Sequence, residues 1–234
     1  MSTESKDIRT LLQQDRRLTE IEAATVLKEY NIPFPAMVLT TNPEEAKAAA
    51  QKMVGSVVMK IVSRDISHKS DAGGIITGIT EETAAATYER ILKKVHSVCP
   101  EATIEGILVQ QQEVSGVEVI IGAIRDVQFG HAVMFGLGGV LAELLTDVIF
   151  RIAPLTEQDA REMIDSIRGA AILYGQRGQS PANVEALSHV LIGVSRFVAD
   201  YPQVAELDLN PVIVTKDKAI AVDALIKVEK AEQA

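Results

Sequence analysis

Between residues 107 and 136 three β-forming runs, 107–112, 117–124 and 131–136, follow one another with only a few residues between them. Parallel neighbours need a crossover of roughly a dozen residues or more, so this stretch demands antiparallel strands. Elsewhere strand and helix patterns mix. The Val- and Ile-rich runs 56–62 and 73–79 read as strands, and 204–214 with 219–226 reads as a closing hairpin. Helical periodicity spans 81–98. Thr19 with Glu22 forms a capping box before an apolar run to Tyr30. Asn42-Pro43 with Glu44 and Glu45 opens a helix with Pro in its first position. Thr156 caps a helix to 167, and Ser180-Pro181 opens a long one to about 199. This order is not a strict βαβα alternation. It predicts an α+β fold with partly antiparallel sheets, a subdomain boundary near 110–116, and a charged tail at 227–234 that frays.

A chain of 234 residues can build one large domain or two small ones around a sizeable core. No apolar run approaches the roughly 18 residues that cross a bilayer. The N-terminus is polar and mixed in charge, unlike a secretory signal. A cytoplasmic protein without membrane contact is expected. The net charge of −9, nine aromatics and no Trp argue against a nucleic-acid partner. The single Cys99 cannot close an internal disulfide, and no His/Cys set suggests structural zinc.

Three constellations carry candidate chemistry. In Val57-Val58-Met59-Lys60-Ile61-Val62 a lysine interrupts an apolar strand, which is costly unless it meets an anion. The following Ser67-His68-Lys69-Ser70-Asp71-Ala72-Gly73-Gly74 loop offers backbone N–H groups and small side chains for phosphate. The alternative is an edge strand whose Lys60 snorkels to solvent. The second constellation runs through Gln110, Glu113, Glu118 and Arg125. A strand leading into a connector can offer backbone groups to an adenine edge, and Glu118 can accept from ribose hydroxyls. The alternative is an ordinary hairpin. Phe135-Gly136-Leu137-Gly138-Gly139 is a glycine-rich junction that fits neither dinucleotide nor P-loop spacing. In the third, Glu206, Asp208 and Asn210 alternate onto one strand face. A turn at Lys216-Asp217 sets Asn210 opposite Asp223, an oxygen pair suited to Mg²⁺. The alternative is a solvated hairpin face.

In this order the pieces resemble the ATP-grasp fold. VVMKIVSRDISHKSDAGGI, GVEVIIGAIRD, FGLGG and ELDLNPVIV are similar to the β, nucleotide-binding, subunit of ADP-forming acetyl-CoA synthetases, from about Leu18 to Ile226. Succinyl-CoA synthetase β subunits are more distantly similar. The resemblance implies two α+β subdomains with the nucleotide between them: 35–112 with Lys60 and the phosphate loop, and 113–226 with the Mg²⁺ hairpin. Residues 1–34 would be a helical segment packing on the second. It implies that Lys60, Ser67, Lys69 and Ser70 meet ATP or ADP phosphates, that Gln110 and Glu113 lie at the adenine hinge, that Glu118 and Arg125 contact the nucleotide, and that Asn210 and Asp223 hold Mg²⁺. The position of Gln110 is a carboxylate in the succinyl-CoA relatives. The implied reaction is acyl-CoA + ADP + phosphate = acid + CoA + ATP. An α subunit carrying the CoA-binding domain and a phosphohistidine would be the partner, in an α₂β₂ assembly. His68 would then relay the phosphoryl group, with Asp208 orienting its imidazole. Competing expectations are a stand-alone ATP-grasp carboxylate ligase and an ATP-sensing module of an acyltransferase.

Overall fold

The computed structural model describes residues 8–13, 15–66, 69–113, 115–139, 147–175 and 180–229. The chain divides into two compact units, Pro35–Val114 and the combination of Met1–Phe34 with Ser115–Ala234. The larger unit opens with α1 (Ile8–Leu11), β1 (Arg16–Arg17) and α2 (Glu20–Lys28). The smaller unit follows as β2 (Met37–Thr40), α3 (Pro43–Gln51), β3 (Val57–Val62), β4 (Ile75–Ile79), α4 (Glu81–Val98) and β5 (Gly106–Gln111). The larger unit resumes with β6 (Val117–Asp126), β7 (Gly130–Leu137) and β8 (Val148–Ile152). It ends with α5 (Glu157–Ser166), α6 (Ala170–Leu173), α7 (Val184–Asp200), β9 (Val204–Val214), β10 (Ala219–Ala221) and β11 (Leu225–Val228).

The smaller unit is a four-stranded antiparallel sheet in the order β2-β5-β3-β4. Alternation sends Val57, Met59 and Ile61 of β3, with Ile107 and Val109 of β5, to one face. There they form a core with Ala46, Ala49 and Ala50 of α3 and Tyr88, Ile91 and Val95 of α4. The alanine stripe lets α3 lie close. Its start is fixed by Asn42, whose Oδ1 accepts the Glu45 N–H at 2.8 Å, and by Pro43 in the first turn.

The larger unit holds a seven-stranded antiparallel sheet in the order β1-β11-β9-β6-β7-β8, with β10 also on β9. α7 supplies the apolar layer on one face through Leu187, Leu191, Val194, Phe197 and Val198, all fully or almost fully buried. Each such side chain contributes about 1.5–3 kcal/mol by leaving water. The segment after α2 lies directly on α7: a Cβ at Gly193 would sit 2.6 Å from the Tyr30 carbonyl oxygen. Tyr30, Phe197 and Tyr201 form an aromatic cluster with centroids 5.3–6.3 Å apart. The Tyr30 hydroxyl donates to Asp200 at 2.8 Å, and burial plus that carboxylate push its pKa up. No helix among the described residues is long and apolar enough to cross a membrane.

The capping box at Thr19 and the cap at Thr156 are both present, and Asp159 completes a second capping box at Thr156. Three local expectations are corrected. Residues 107–112 and 117–124 do not form a hairpin, because β5 belongs to the smaller sheet and β6 to the larger. The long helix begins at Val184, since Asn183 Oδ1 accepts the Ala186 N–H at 2.9 Å, rather than at 180–181. The second arm of the closing hairpin, expected as one strand over 219–226, is two strands, β10 and β11, separated by 222–224 and each paired with β9. Strands β2 and β8 were not foreseen.

Candidate nucleotide and metal site

The sheet of the larger unit carries an oxygen-rich patch built around an irregularity in β9. Glu206, Asp208 and Asn210 alternate with buried Leu207 and Leu209, so the three polar side chains share the outer face. Simple alternation would then turn Val212 and Val214 outward, yet both are buried. A β-bulge resolves this. Val119 of β6 lies opposite Val212 and Ile121 opposite Leu209, so Asn210 and Pro211 together face Ile120 alone. Pro211 has no N–H to offer a central strand, and the bulge is where none is needed. On the other flank of β9, Ala221 stands opposite Val212 and Leu225 opposite Asp208. The same offset, continued across the gap between β10 and β11, would put Asp223 opposite Asn210, the arrangement the hairpin register predicts. The Val222 N–H donates to the Pro211 carbonyl at 3.1 Å and fixes this crossing. The Asp223 carboxylate accepts the Ala224 N–H at 3.0 Å.

Asp208 sits half-buried between Leu225 and Gly122, its partners in the two flanking strands. Burial, then Asp223, then Glu206 raise its pKa from 3.8 to about 6. Among the described residues no group of three or more His, Cys, Asp and Glu is arranged to hold a metal ion. A cation held here would therefore take few protein oxygens, from Asn210 and Asp223, and complete its shell with water and phosphate. That habit, and a donor set of hard oxygens crowded with negative charge, fit Mg²⁺.

Glu118 and the glycine-rich junction, read separately in the sequence, are one place in the structure. The Gly138 N–H donates to the Glu118 carbonyl at 2.8 Å. Gly139 has φ +61°, and a Cβ there would lie 2.8 Å from Glu118 Oε2. The positive φ favours glycine at this turn beneath the carboxylate. Glu118 itself is exposed, opposite Ile213 on β9.

In the smaller unit Lys60 is only 6% exposed, on the sheet face opposite the core cluster. β3 lies between β5 and β4, so the edge-strand alternative is excluded. Gln110, also buried, is opposite Val58 on β5. Lys60 and Gln110 are thus diagonal neighbours on one face, about 7–8 Å apart between Cα atoms for this geometry. The loop after β3 corrects one expectation. Its glycine N–H groups are spent within the loop: Gly73 donates to the Ser70 carbonyl at 2.9 Å and Gly74 to that of Lys69 at 2.7 Å. A Cβ at Gly74 would lie 2.5 Å from Ile61 Cγ2, so the glycine serves packing. Lys69 is half-buried and Ser70 exposed in this turn. Glu113 is half-buried just beyond β5. Ser67 and His68 lie outside the described residues, so the pairing of His68 with Asp208 is not described.

The structure does not bring Arg125 to this group. It stands seven residues along β6 from Glu118, and its guanidinium donates to the Pro202 carbonyl at 3.2 Å and to Glu229 at 3.4–3.5 Å. It ties the start of β9 to the end of β11. Sequence reasoning missed the bulge at Asn210-Pro211, although a signal was there: buried positions change from odd (Leu207, Leu209) to even (Val212, Val214) across a proline. It also missed Gln112, whose Oε1 accepts from Ser56 Oγ at 3.2 Å and from the Gly78 N–H at 2.8 Å.

An antiparallel sheet with a buried lysine in one unit and an oxygen-rich strand face in the other define the class. The family model described as ATP-grasp domain matches residues 9–228, and the chain belongs to that family. It is similar to the β subunit of acetate–CoA ligase [ADP-forming] I of Pyrococcus furiosus, with 44% identity over 90% of this chain and 91% of that one. Several longer proteins named acetate–CoA ligase [ADP-forming] also match, and the chain spans only 29–32% of their length. Among solved structures it is similar to Ca. Korarchaeum cryptofilum acetyl-coenzyme A synthetase 1 in complex with coenzyme A and Ca-AMPCP. The TM-score is 0.92 at 42% identity, covering 95% of this chain and all of that one. A second structure of that enzyme, with coenzyme A and Mg-AMPPCP, has its phosphohistidine segment pointing towards the nucleotide binding site. Its TM-score is 0.84 at 38% identity, covering 97% of this chain and all of that one.

Proposed function

We propose that this chain is the nucleotide-binding component of an ADP-forming acid–CoA ligase acting on acetyl-CoA or a related acyl-CoA. It would exchange a phosphoryl group between a phosphohistidine and ADP or ATP with Mg²⁺, within the reaction acyl-CoA + ADP + phosphate = acid + CoA + ATP. The observation that carries this reading is the match, over 90% of this chain and 91% of the relative, to a β subunit of such a ligase. In this reading Asn210 and Asp223 hold Mg²⁺ and Lys60 meets the phosphates, with Lys69 and Ser70 beside it. Gln110 and Glu113 border the base, and Glu118 meets the ribose. Phosphoryl transfer asks a protein mainly for positioning and charge neutralisation, which a buried lysine and a metal supply. Asp208 lies beside Asn210 and tunes the charge there. His68 enters on its sequence position as a relay, together with Ser67 as a phosphate contact.

The CoA site and the phosphohistidine belong to a partner polypeptide in this reading, and the assembly is α₂β₂. The deciding assay is ADP- and phosphate-dependent release of CoA from acetyl-CoA, with and without that partner. Release only with both chains is expected. Release by this chain alone would make it a stand-alone ligase, and Mg-ATP binding without turnover in the pair would make it a sensor. Asn210→Ala with Asp223→Ala should weaken Mg-ATP binding at least tenfold in equilibrium dialysis while circular dichroism stays unchanged; undiminished affinity refutes the metal assignment. His68→Ala should abolish turnover of the pair, and full turnover refutes the relay.

A further inference from the structure

The face of the larger sheet that carries Asp208 and Asn210 continues sideways into an apolar surface. Across β8, β7 and β6, Ile152 is opposite Ala132, which is opposite Ile124. One row along, Phe150 is opposite Met134, which is opposite Gly122. Val148 adds to a third row, and these side chains are not incidental: Ile124, Val148, Phe150 and Ile152 are each 41–52% exposed. The rows run into β9 at Glu206, opposite Ile124, and Asp208, opposite Gly122. The β6–β7 turn extends the surface with Val127 and Phe129, 97% and 66% exposed. That turn is built, not slack. Asp126 Oδ1 accepts the N–H groups of Gln128 at 2.8 Å and Phe129 at 2.9 Å, which holds its carboxyl below the usual range. A contiguous exposed apolar face of this kind marks a contact surface.

We propose that this β6–β7–β8 face seats the partner polypeptide of the ligase, through a segment with an apolar centre and a basic flank; this rests on the function proposed above. Two observations select that occupant over a second copy. First, its exposed apolar side chains are few, Ile124, Val148, Phe150 and Ile152 with Val127 and Phe129 in the turn, against the roughly 800 Å² per side that a stable pairing buries, so the occupant that fits is one that also holds on elsewhere. A chain corresponding to the remaining two-thirds of the longer relatives has the surface to do so. Second, three carboxylates, Asp126, Glu206 and Asp208, border the patch, while the cations of the same row lie beyond β9, Lys227 engaged by Glu229 at 2.5 Å and Arg17 opposite it. Two copies, each of net charge −9, would bring like charges together, whereas a basic flank is complementary. Seated there, the partner adjoins the end of the row that reaches Asp208 through Met134 and Gly122.

The test uses the full-length chain and the polypeptide from the same organism that matches the rest of the longer ligases. Association is measured by isothermal titration for the unaltered chain, Phe150→Glu and Ile152→Lys. Mg-ATP affinity of each chain alone serves as the control for folding. Weakening of association by about 30-fold or more in both variants, with Mg-ATP affinity unchanged, is expected for an aromatic and aliphatic hot spot. Undiminished association by the variants overturns the surface and leaves the proposed function standing. Failure of the unaltered chain to associate overturns both. If sedimentation shows the chain alone to be a dimer that Phe150→Glu dissociates, a second copy is the occupant and the proposal falls.

Discussion

Asp208 shows at the scale of one residue how the fold sets up a charge problem. Its pKa is raised from 3.8 to about 6 by burial, by Asp223 and by Glu206. A raised carboxyl pKa means that the folded state holds the proton more tightly than the unfolded one. Stability is therefore highest below about pH 3.8 as far as this group is concerned, and falls as pH rises through 6. Allowing for its partial exposure, the loss is about 1–2 kcal/mol. Urea unfolding between pH 4 and 7 should show the unaltered chain losing that much relative to Asp208→Asn; parallel pH profiles would contradict it. The residues themselves were legible in the sequence, because period-two alternation puts Glu206, Asp208 and Asn210 together whatever the rest of the strand does. What the sequence did not disclose was that Glu118 meets the Gly138-Gly139 junction, since that contact crosses strands whose pairing only the assembled sheet defines. The loop glycines misled for a related reason. Gly73 and Gly74 look like phosphate cradles, but a turn that closes its own hydrogen bonds leaves those donors spent.

At the scale of elements, strands and helices with strong local signals were readable, and those defined by their neighbours were not. Capping boxes at Thr19 and Thr156 and the helix Glu81–Val98 rest on contacts a few residues apart. β2 and β8 are short sheet-edge strands whose apolar residues follow no buried alternation, and their existence depends on β5 and β7. The bulge in β9 is the element-scale device that matters to the site. Without Pro211 the strand would alternate regularly, with Leu209 and Val212 both still inward. Deleting Pro211 should thus leave the core faces intact and the protein folded. It should also move Asn210 out of register with Asp223 and draw it into the ladder beside Ile120. Mg-ATP affinity is expected to drop at least tenfold while thermal unfolding stays cooperative. A deletion that keeps full affinity would show that the bulge does not shape the site.

For the whole molecule, the proposed ligand supplies a global readout. Mg-ATP at 100 times its dissociation constant should stabilise the chain by about 2.7 kcal/mol, which for a protein of this size raises the Tm by about 5–10 °C. Removing Mg²⁺ with EDTA should reverse most of that shift, and a Tm indifferent to EDTA would argue against a metal-dependent complex. The two-unit architecture has a further consequence. The smaller unit is one continuous stretch, Pro35–Val114, whereas the larger one needs both ends of the chain. Its first strand, β1, pairs with its last, β11, and the Leu18 N–H donates to the Ile226 carbonyl at 2.9 Å. On a ribosome making roughly 5–20 residues per second, the smaller unit is complete while about 110 residues up to the end of β11 are still to be made. The larger unit cannot close until β11 emerges, roughly 6–22 s later at the same rates. During synthesis, then, α2 and β1 wait without their sheet, and the unit that carries Lys60 is finished before the strand that carries Asp208 and Asn210 has been made.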